Sequence, residues 1–226
     1  MSIRIHHPLL AIIACVLPYA LFGCSSLAPE SWGRIDLLPM NASNSPTEPV
    51  TAPDKSRVHL FFINGLDPLK FANFQSQTEH VKSLGYENAS YGEMRHVDSF
   101  HQRIKQIHKA DRNSRIVLVG YSLGANSVRT LTHRLKDDGV AIDLLVYLGG
   151  DTIKNVEESL PANAIRVVNI MGHGSPLVGR DLFVNGEEIT GAVNHRIDAG
   201  HYRLPTNAQA IDLLDRHLAH ITQKQK

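Results

Sequence analysis

The sequence predicts an α/β domain, a mostly parallel β-sheet with helices on both faces. Strand-length apolar runs alternate with helix-period segments from residue 57 to the end of the chain, and repeated strand, helix, strand units build a sheet of that kind. The strand runs are continuously apolar rather than alternating, as expected where both faces of a sheet are covered. The chain has 226 residues, 42% of them hydrophobic and 20% charged, which suits one ordinary globular domain and neither a fibre nor a disordered chain.

The elements follow in order. Val58-His59-Leu60-Phe61-Phe62-Ile63 is a buried strand closed by the turn pair Asn64-Gly65. A helix is expected over 71–84, ended by Gly85 in the C-cap role. A weaker strand over 86–91 precedes a polar helix that Asp98 opens and that runs to about residue 109. Arg115-Ile116-Val117-Leu118-Val119-Gly120 is the clearest strand of the chain, and a helix over 127–135 stops near Gly139. Asp143-Leu144-Leu145-Val146-Tyr147-Leu148 is the next buried strand and ends in Gly149-Gly150-Asp151, and Ile165-Arg166-Val167-Val168-Asn169-Ile170 is another. Leu182-Phe183-Val184 and Glu187-Glu188-Ile189 flank Asn185-Gly186, a two-residue hairpin signal. A last strand over 193–198 and an amphipathic closing helix over 207–221 complete the domain. In such sheets function collects at the carboxyl ends of the strands.

Charge and cysteine usage exclude several classes. Lys and Arg total 23 against 22 for Asp and Glu, a net charge of +1 that leaves no basic footprint for nucleic acid. Both cysteines, Cys15 and Cys24, precede the domain, so its body can hold neither a disulfide framework nor a zinc-thiolate site. Arg4 and the apolar run over 9–22, broken by Pro18, are too short for a comfortable span of about 20 residues and read as a secretory signal over 1–23. Leu21-Phe22-Gly23-Cys24 resembles the lipobox of bacterial lipoproteins, with Phe22 larger than the residue usual there. That resemblance implies lipidation of Cys24 and a lipid-anchored location in the cell envelope. Ser25 after the Cys favours the outer membrane, on its periplasmic side. Residues 24–56, with Pro29, Pro39, Pro46, Pro49 and Pro53 among polar residues, then form a tether to a domain over 57–226.

After the clearest strand stands Gly120-Tyr121-Ser122-Leu123-Gly124, a G-x-S-x-G match with the strand before it and the helix after it that the motif requires. Such a turn projects the Ser122 hydroxyl above the sheet, and glycines at 120 and 124 avoid collisions inside it. The Leu123 amide, at the helix N-terminus, faces the position where an oxyanion would develop. With this motif residues 57–222 resemble the α/β-hydrolase superfamily, in particular its small serine esterases and lipase-like members. The resemblance implies the α/β-hydrolase fold and a Ser, acid, His order along the chain.

The same resemblance places a second oxyanion donor in the loop Asn64-Gly65-Leu66-Asp67, through the Leu66 amide, with Asn64 in place of the usual His. Asn64 is expected to hold that loop by side-chain hydrogen bonds to the backbone. For the base, His201 in Ala199-Gly200-His201 follows the last strand, where the superfamily places it. His173, in Met171-Gly172-His173-Gly174, is the competitor, whereas His195 lies inside the last strand and reads as structural. For the acid, Asp151 ends its strand behind two glycines, and Asp181 is the alternative at the start of the hairpin.

Together these residues imply a serine hydrolase acting on a small acyl ester, a thioester or a lipid, with a membrane as partner through the lipid anchor. The chemistry requires no metal or organic cofactor. The short segment around 153–163 leaves little room for a large lid. Two other readings share the same residues: a non-catalytic envelope lipoprotein that binds through this fold, and an acyltransferase that passes the acyl group to an acceptor other than water.

Overall fold

The computed structural model describes residues 54–150, 160–173 and 188–223, with 176–177 and 180–181 described by backbone alone. The signal, the tether up to residue 53 with Cys24, Asp151 and the Asn185-Gly186 turn lie outside the described residues.

In chain order the elements are β1 (Val58–Asn64), α1 (Gln75–Ser83), β2 (Ala89–Glu93), α2 (Val97–Ala110), β3 (Arg115–Tyr121), α3 (Gly124–Asp137), β4 (Leu144–Leu148), β5 (Val167–His173), β6 (Pro176–Leu177), β7 (Arg180–Asp181), β8 (Val193–Gly200) and α4 (Ala208–Thr222). Six strands form one sheet in the order β2-β1-β3-β4-β5-β8, and every pairing in it is parallel. β6 and β7 pair antiparallel with each other.

Side chains alternate along each strand between two cores. Leu60, Phe62, Val117, Val119, Leu144 and Val146 point into one, which α1 and α4 cover with Val81, Leu213, Leu214 and Leu218. Phe61, Ile63, Ile116, Leu118, Leu145 and Tyr147 point into the other, covered by Phe100 and Ile104 of α2 and Val128, Leu131 and Leu135 of α3. A period of two turned towards two apolar layers gives a strand with no polar face. Each fully buried Val, Leu, Ile or Phe contributes about 1.5–3 kcal/mol, so these two layers dominate the stability of the domain.

Strand order explains where the helices go. β2 lies on one side of β1, and the chain then crosses back so that β3, β4, β5 and β8 extend the other way. Right-handed crossovers in opposite directions must use opposite faces. The helix after β1 accordingly packs on one face and the helix after β3 on the other. The connections leaving the neighbouring strands β1 and β3 part at their carboxyl ends, which opens a crevice at that edge.

Three expected elements begin later than expected, and α3 begins three residues earlier than the expected 127–135. The helix expected over 71–84 begins at Gln75, because the segment before it is a capped loop with left-handed Lys70 (φ 55°) and Asn73 (φ 46°). The strand expected over 86–91 begins three residues later and ends two later, in register with β1 from Leu60↔Ala89 to Asn64↔Glu93. The strand expected from Ile165 begins at Val167, and Ile165 itself is exposed. Asn207 caps α4, its side chain accepting from the amides of Gln209 (2.9 Å) and Ala210 (3.2 Å).

Candidate active site

β3 ends at Tyr121 and α3 begins at Gly124, so the chain must reverse from strand to helix within two residues. Ser122 makes that turn with φ 54°, a left-handed conformation unfavourable for a residue with a Cβ. Two backbone hydrogen bonds hold it there. The Ser122 amide donates to the Leu148 carbonyl at 3.0 Å, and its own carbonyl accepts from Ala125 at 2.9 Å. The two flanking glycines seat the turn against the sheet. A Cβ on Gly120 would lie 2.4 Å from the Gly124 carbonyl oxygen, and one on Gly124 would lie 2.0 Å from that of Ile63.

Gly65 approaches the same turn from β1. A Cβ there would stand 2.6 Å from the Leu123 amide nitrogen and 2.9 Å from the Tyr121 carbonyl oxygen. The start of the β1 loop therefore lies against the amide at the head of α3, with room for main chain only. Leu66 follows immediately, its side chain exposed.

His201 is the first residue of a 3₁₀ helix, His201–Thr206, that follows β8 without a gap. Its Nε2 lies 3.0 Å from Ser122 Oγ, and both residues are buried. With Nε2 accepting the Ser122 proton, Nδ1 carries the ring hydrogen. Gly149, left-handed at φ 58°, borders that side of the ring, and a Cβ on it would come within 3.2 Å of Nδ1. Burial pushes the His201 imidazole down from the ordinary value of 6.5 to about 4, against a smaller opposing pull from the Asp67 carboxylate. At neutral pH the ring is therefore uncharged.

Tyr121 secures this histidine. Its ring stacks on the imidazole at a centroid distance of 5.0 Å and an interplanar angle of 25°, and its hydroxyl donates to the His201 carbonyl at 3.0 Å. Burial holds the phenol far above its usual range, so the hydroxyl stays a donor.

The other sequence candidates sit elsewhere. His173 ends β5, exposed, with Nε2 2.8 Å from Asp198 Oδ1. His195 lies in β8, its Nε2 3.2 Å from Nε2 of His217. Asn64 does not brace its loop through the backbone: its side-chain amide donates to the Tyr91 hydroxyl at 3.0 Å, tying β1 to β2. The residue that braces the loop is Asp67. Its two carboxylate oxygens accept from the amides of Phe71 and Ala72, each at 2.9 Å, while its carbonyl accepts from Lys70 at 3.0 Å. Reading the residues one at a time missed Asp67, although Asp before Pro is a turn-initiating pair.

No family model matches the chain, and no curated protein matches it either. Among solved structures it is similar to an α/β serine hydrolase homologue from Coxiella burnetii, at 17% identity over 71% of this chain and 85% of that one, with a TM-score of 0.47. It is similar to human thioesterase 2 at 9% identity over 74% and 96% of the two chains, with a TM-score of 0.46. A structure assigned as a hydrolase of the α/β superfamily, from Xanthomonas campestris, gives 17% identity over 73% and 98%, with a TM-score of 0.45. At these identities the likeness concerns the fold and leaves the chemistry to the residues themselves.

Proposed function

We propose that this chain is a serine hydrolase that cleaves carboxylic ester or thioester bonds through an acyl-enzyme on Ser122. The observation that carries the reading is the 3.0 Å approach of an uncharged, buried His201 Nε2 to the hydroxyl of a serine held in a left-handed strand-to-helix turn. A serine hydroxyl is a weak nucleophile until an adjacent base takes its proton. His201 takes that proton as Oγ adds to the substrate carbonyl. The amides of Leu123 and Leu66 bind the resulting oxyanion. The tetrahedral intermediate then collapses, and His201 hands the proton to the departing alcohol or thiol. Water, deprotonated by His201, adds to the acyl-enzyme, and Ser122 leaves with the returned proton.

Asp151 is the orienting acid in this proposal. Gly149, two residues before it in sequence, borders the Nδ1 side of the imidazole, and this supports the choice. The lipobox-like Leu21-Phe22-Gly23-Cys24 motivates the location, a lipid anchor on Cys24 holding the enzyme at the periplasmic side of the outer membrane.

The test is labelling with a fluorophosphonate probe together with hydrolysis of p-nitrophenyl acetate. Wild type should react in both assays and Ser122→Ala in neither. Asp151→Asn should lower turnover by up to about four orders of magnitude through the wrong imidazole tautomer, with Asp181→Asn close to wild type. Labelling of Ser122→Ala at the wild-type rate would overturn the assignment. Cys24→Ser tests the location separately, by loss of the protein from the membrane fraction.

A further inference from the structure

Among the described residues large exposed apolar side chains are few and are not spread evenly. Among the described residues six are exposed: Leu66 (68%), Leu69 (70%), Phe71 (69%), Leu84, Ile165 and Val193. The last three follow α1, precede β5 and begin β8, all towards the amino-terminal edge of the sheet. The first three fall within six residues of one loop, at the opposite edge, on the segment that carries the proposed oxyanion amide.

That loop is built rather than slack. The Asp67 carboxylate accepts from Phe71 and Ala72, which closes 67–72 into one turn that carries Leu69 and Phe71, with Leu66 immediately before it. The turn also spans the reacting pair. At one end Gly65 lies against the Leu123 amide beside Ser122. At the other end the Phe71 ring meets the Tyr202 ring edge-on at 6.3 Å, and Tyr202 meets the imidazole of His201 at 5.7 Å. Apolar side chains held in water by a hydrogen-bonded turn are unfavourable unless something apolar covers them, and clustered exposed apolar residues beside a site mark binding surfaces.

We propose that Leu66, Leu69, Phe71 and Tyr202 form a rim that binds a hydrocarbon chain of the substrate, which makes the preferred substrate a lipophilic ester or thioester of medium or greater chain length. The inference rests on Ser122 being an acylated nucleophile. The chain enters either as the acyl group or on the leaving group, and both would lie along the same rim.

The experiment measures kcat/KM for p-nitrophenyl esters from acetate to decanoate and, in a second series, for acetate esters of alcohols of the same lengths. In wild type at least one series should climb with length, by up to about fourfold per methylene that becomes buried. The series that climbs identifies which part of the substrate carries the chain. In Leu69→Ser/Phe71→Ser the long-to-short ratio of kcat/KM should fall at least tenfold, with the thermal midpoint and fluorophosphonate labelling showing that fold and nucleophile survive. Flat series in wild type, or an unchanged ratio in the double variant, would overturn the rim while labelling persists. If the double variant instead loses only co-sedimentation with phosphatidylethanolamine and phosphatidylglycerol vesicles, the rim is a membrane contact and the substrate inference is wrong. Absence of labelling in wild type would bring down the hydrolase reading itself, a result distinct from the others.

Discussion

Tyr121 holds His201 twice, by a 3.0 Å hydrogen bond from its hydroxyl to the histidine carbonyl and by stacking of the two rings at 5.0 Å. The residue before the candidate nucleophile thus positions the candidate base, although 80 residues separate them in the chain. One strand end fixes both partners of the 3.0 Å contact. When His201 takes up a proton, the aromatic face of Tyr121 also lies against the new positive charge, a contact that strengthens as charge develops.

Tyr121→Phe should therefore keep the stack and lose the hydroxyl, lowering kcat about three- to tenfold with KM little changed, in line with one hydrogen bond. Tyr121→Leu removes the face as well and should cost more in kcat than Tyr121→Phe does. Steady-state kinetics on a p-nitrophenyl ester, with KM and kcat resolved, distinguishes this from a packing role. A purely structural tyrosine would lower the thermal midpoint in both variants and leave kcat per folded molecule unchanged.

Gly65 makes a second, sharper prediction. A methyl at 65 would meet the Leu123 amide nitrogen at 2.6 Å and the Tyr121 carbonyl oxygen at 2.9 Å, and neither backbone atom can swing aside as a long side chain could. Gly65→Ala should displace the β1 loop from the head of α3 and separate the two proposed oxyanion donors. Loss of one such donor lowers kcat about 10²- to 10³-fold, whereas the overpacking should cost about 1–3 kcal/mol of stability. Turnover and chemical denaturation measured on the same preparation check both figures. Near-normal kcat would mean that the Leu66 amide plays no part in the oxyanion site.

The parts of this molecule that were legible in sequence are those set by neighbours in the chain. β3, the Ser122 turn and α3 form one uninterrupted segment whose apolar strand and Gly120 answer to local neighbours, whereas Gly124 is required by the Ile63 carbonyl of β1. The two-sided burial of the strands was legible because a continuous apolar run has only one stable environment. What was not legible depended on distant partners. The late start of α1 follows from Asp67 capping amides four and five residues ahead with Lys70 and Asn73 left-handed, conformations that their residue types do not announce. Asn64 turned to Tyr91, 27 positions away, because β1 and β2 are neighbours, and that pairing is a property of the sheet. Tyr121 and His201 meet for the same reason. Choosing between His173 and His201 from sequence rested on position after a strand, and only the packed sheet brings His201 to Ser122 while leaving His173 beside Asp198.

The acid side of the pH range should separate two histidines. Burial holds His201 down at about 4, and His217 is likewise held down at about 4, by burial first and then by the positive charges of Arg166, His195, Arg216 and His220. His217 Nδ1 accepts from Arg166 Nε at 3.0 Å, so a proton added at Nδ1 would face that donor directly. For His201 the uncharged ring is the active form. Activity should therefore persist below the ordinary histidine range, through pH 5.5, and fall as pH approaches 4. For His217 the unfolded chain takes up the proton first, near pH 6.5. Its contribution to stability is complete above that pH, is lost progressively between about 6.5 and 4, and changes no further below. Replacing His217 by Gln removes the titrating group, so the decline of the thermal midpoint between pH 6.5 and 4 should become shallower in His217→Gln. The kcat/KM profile of the same variant, taken over minutes at a temperature where both proteins stay folded, should keep the wild-type acid limb. If the acid limb of kcat/KM moves with His217 instead, loss of activity at low pH reports unfolding and not protonation of His201.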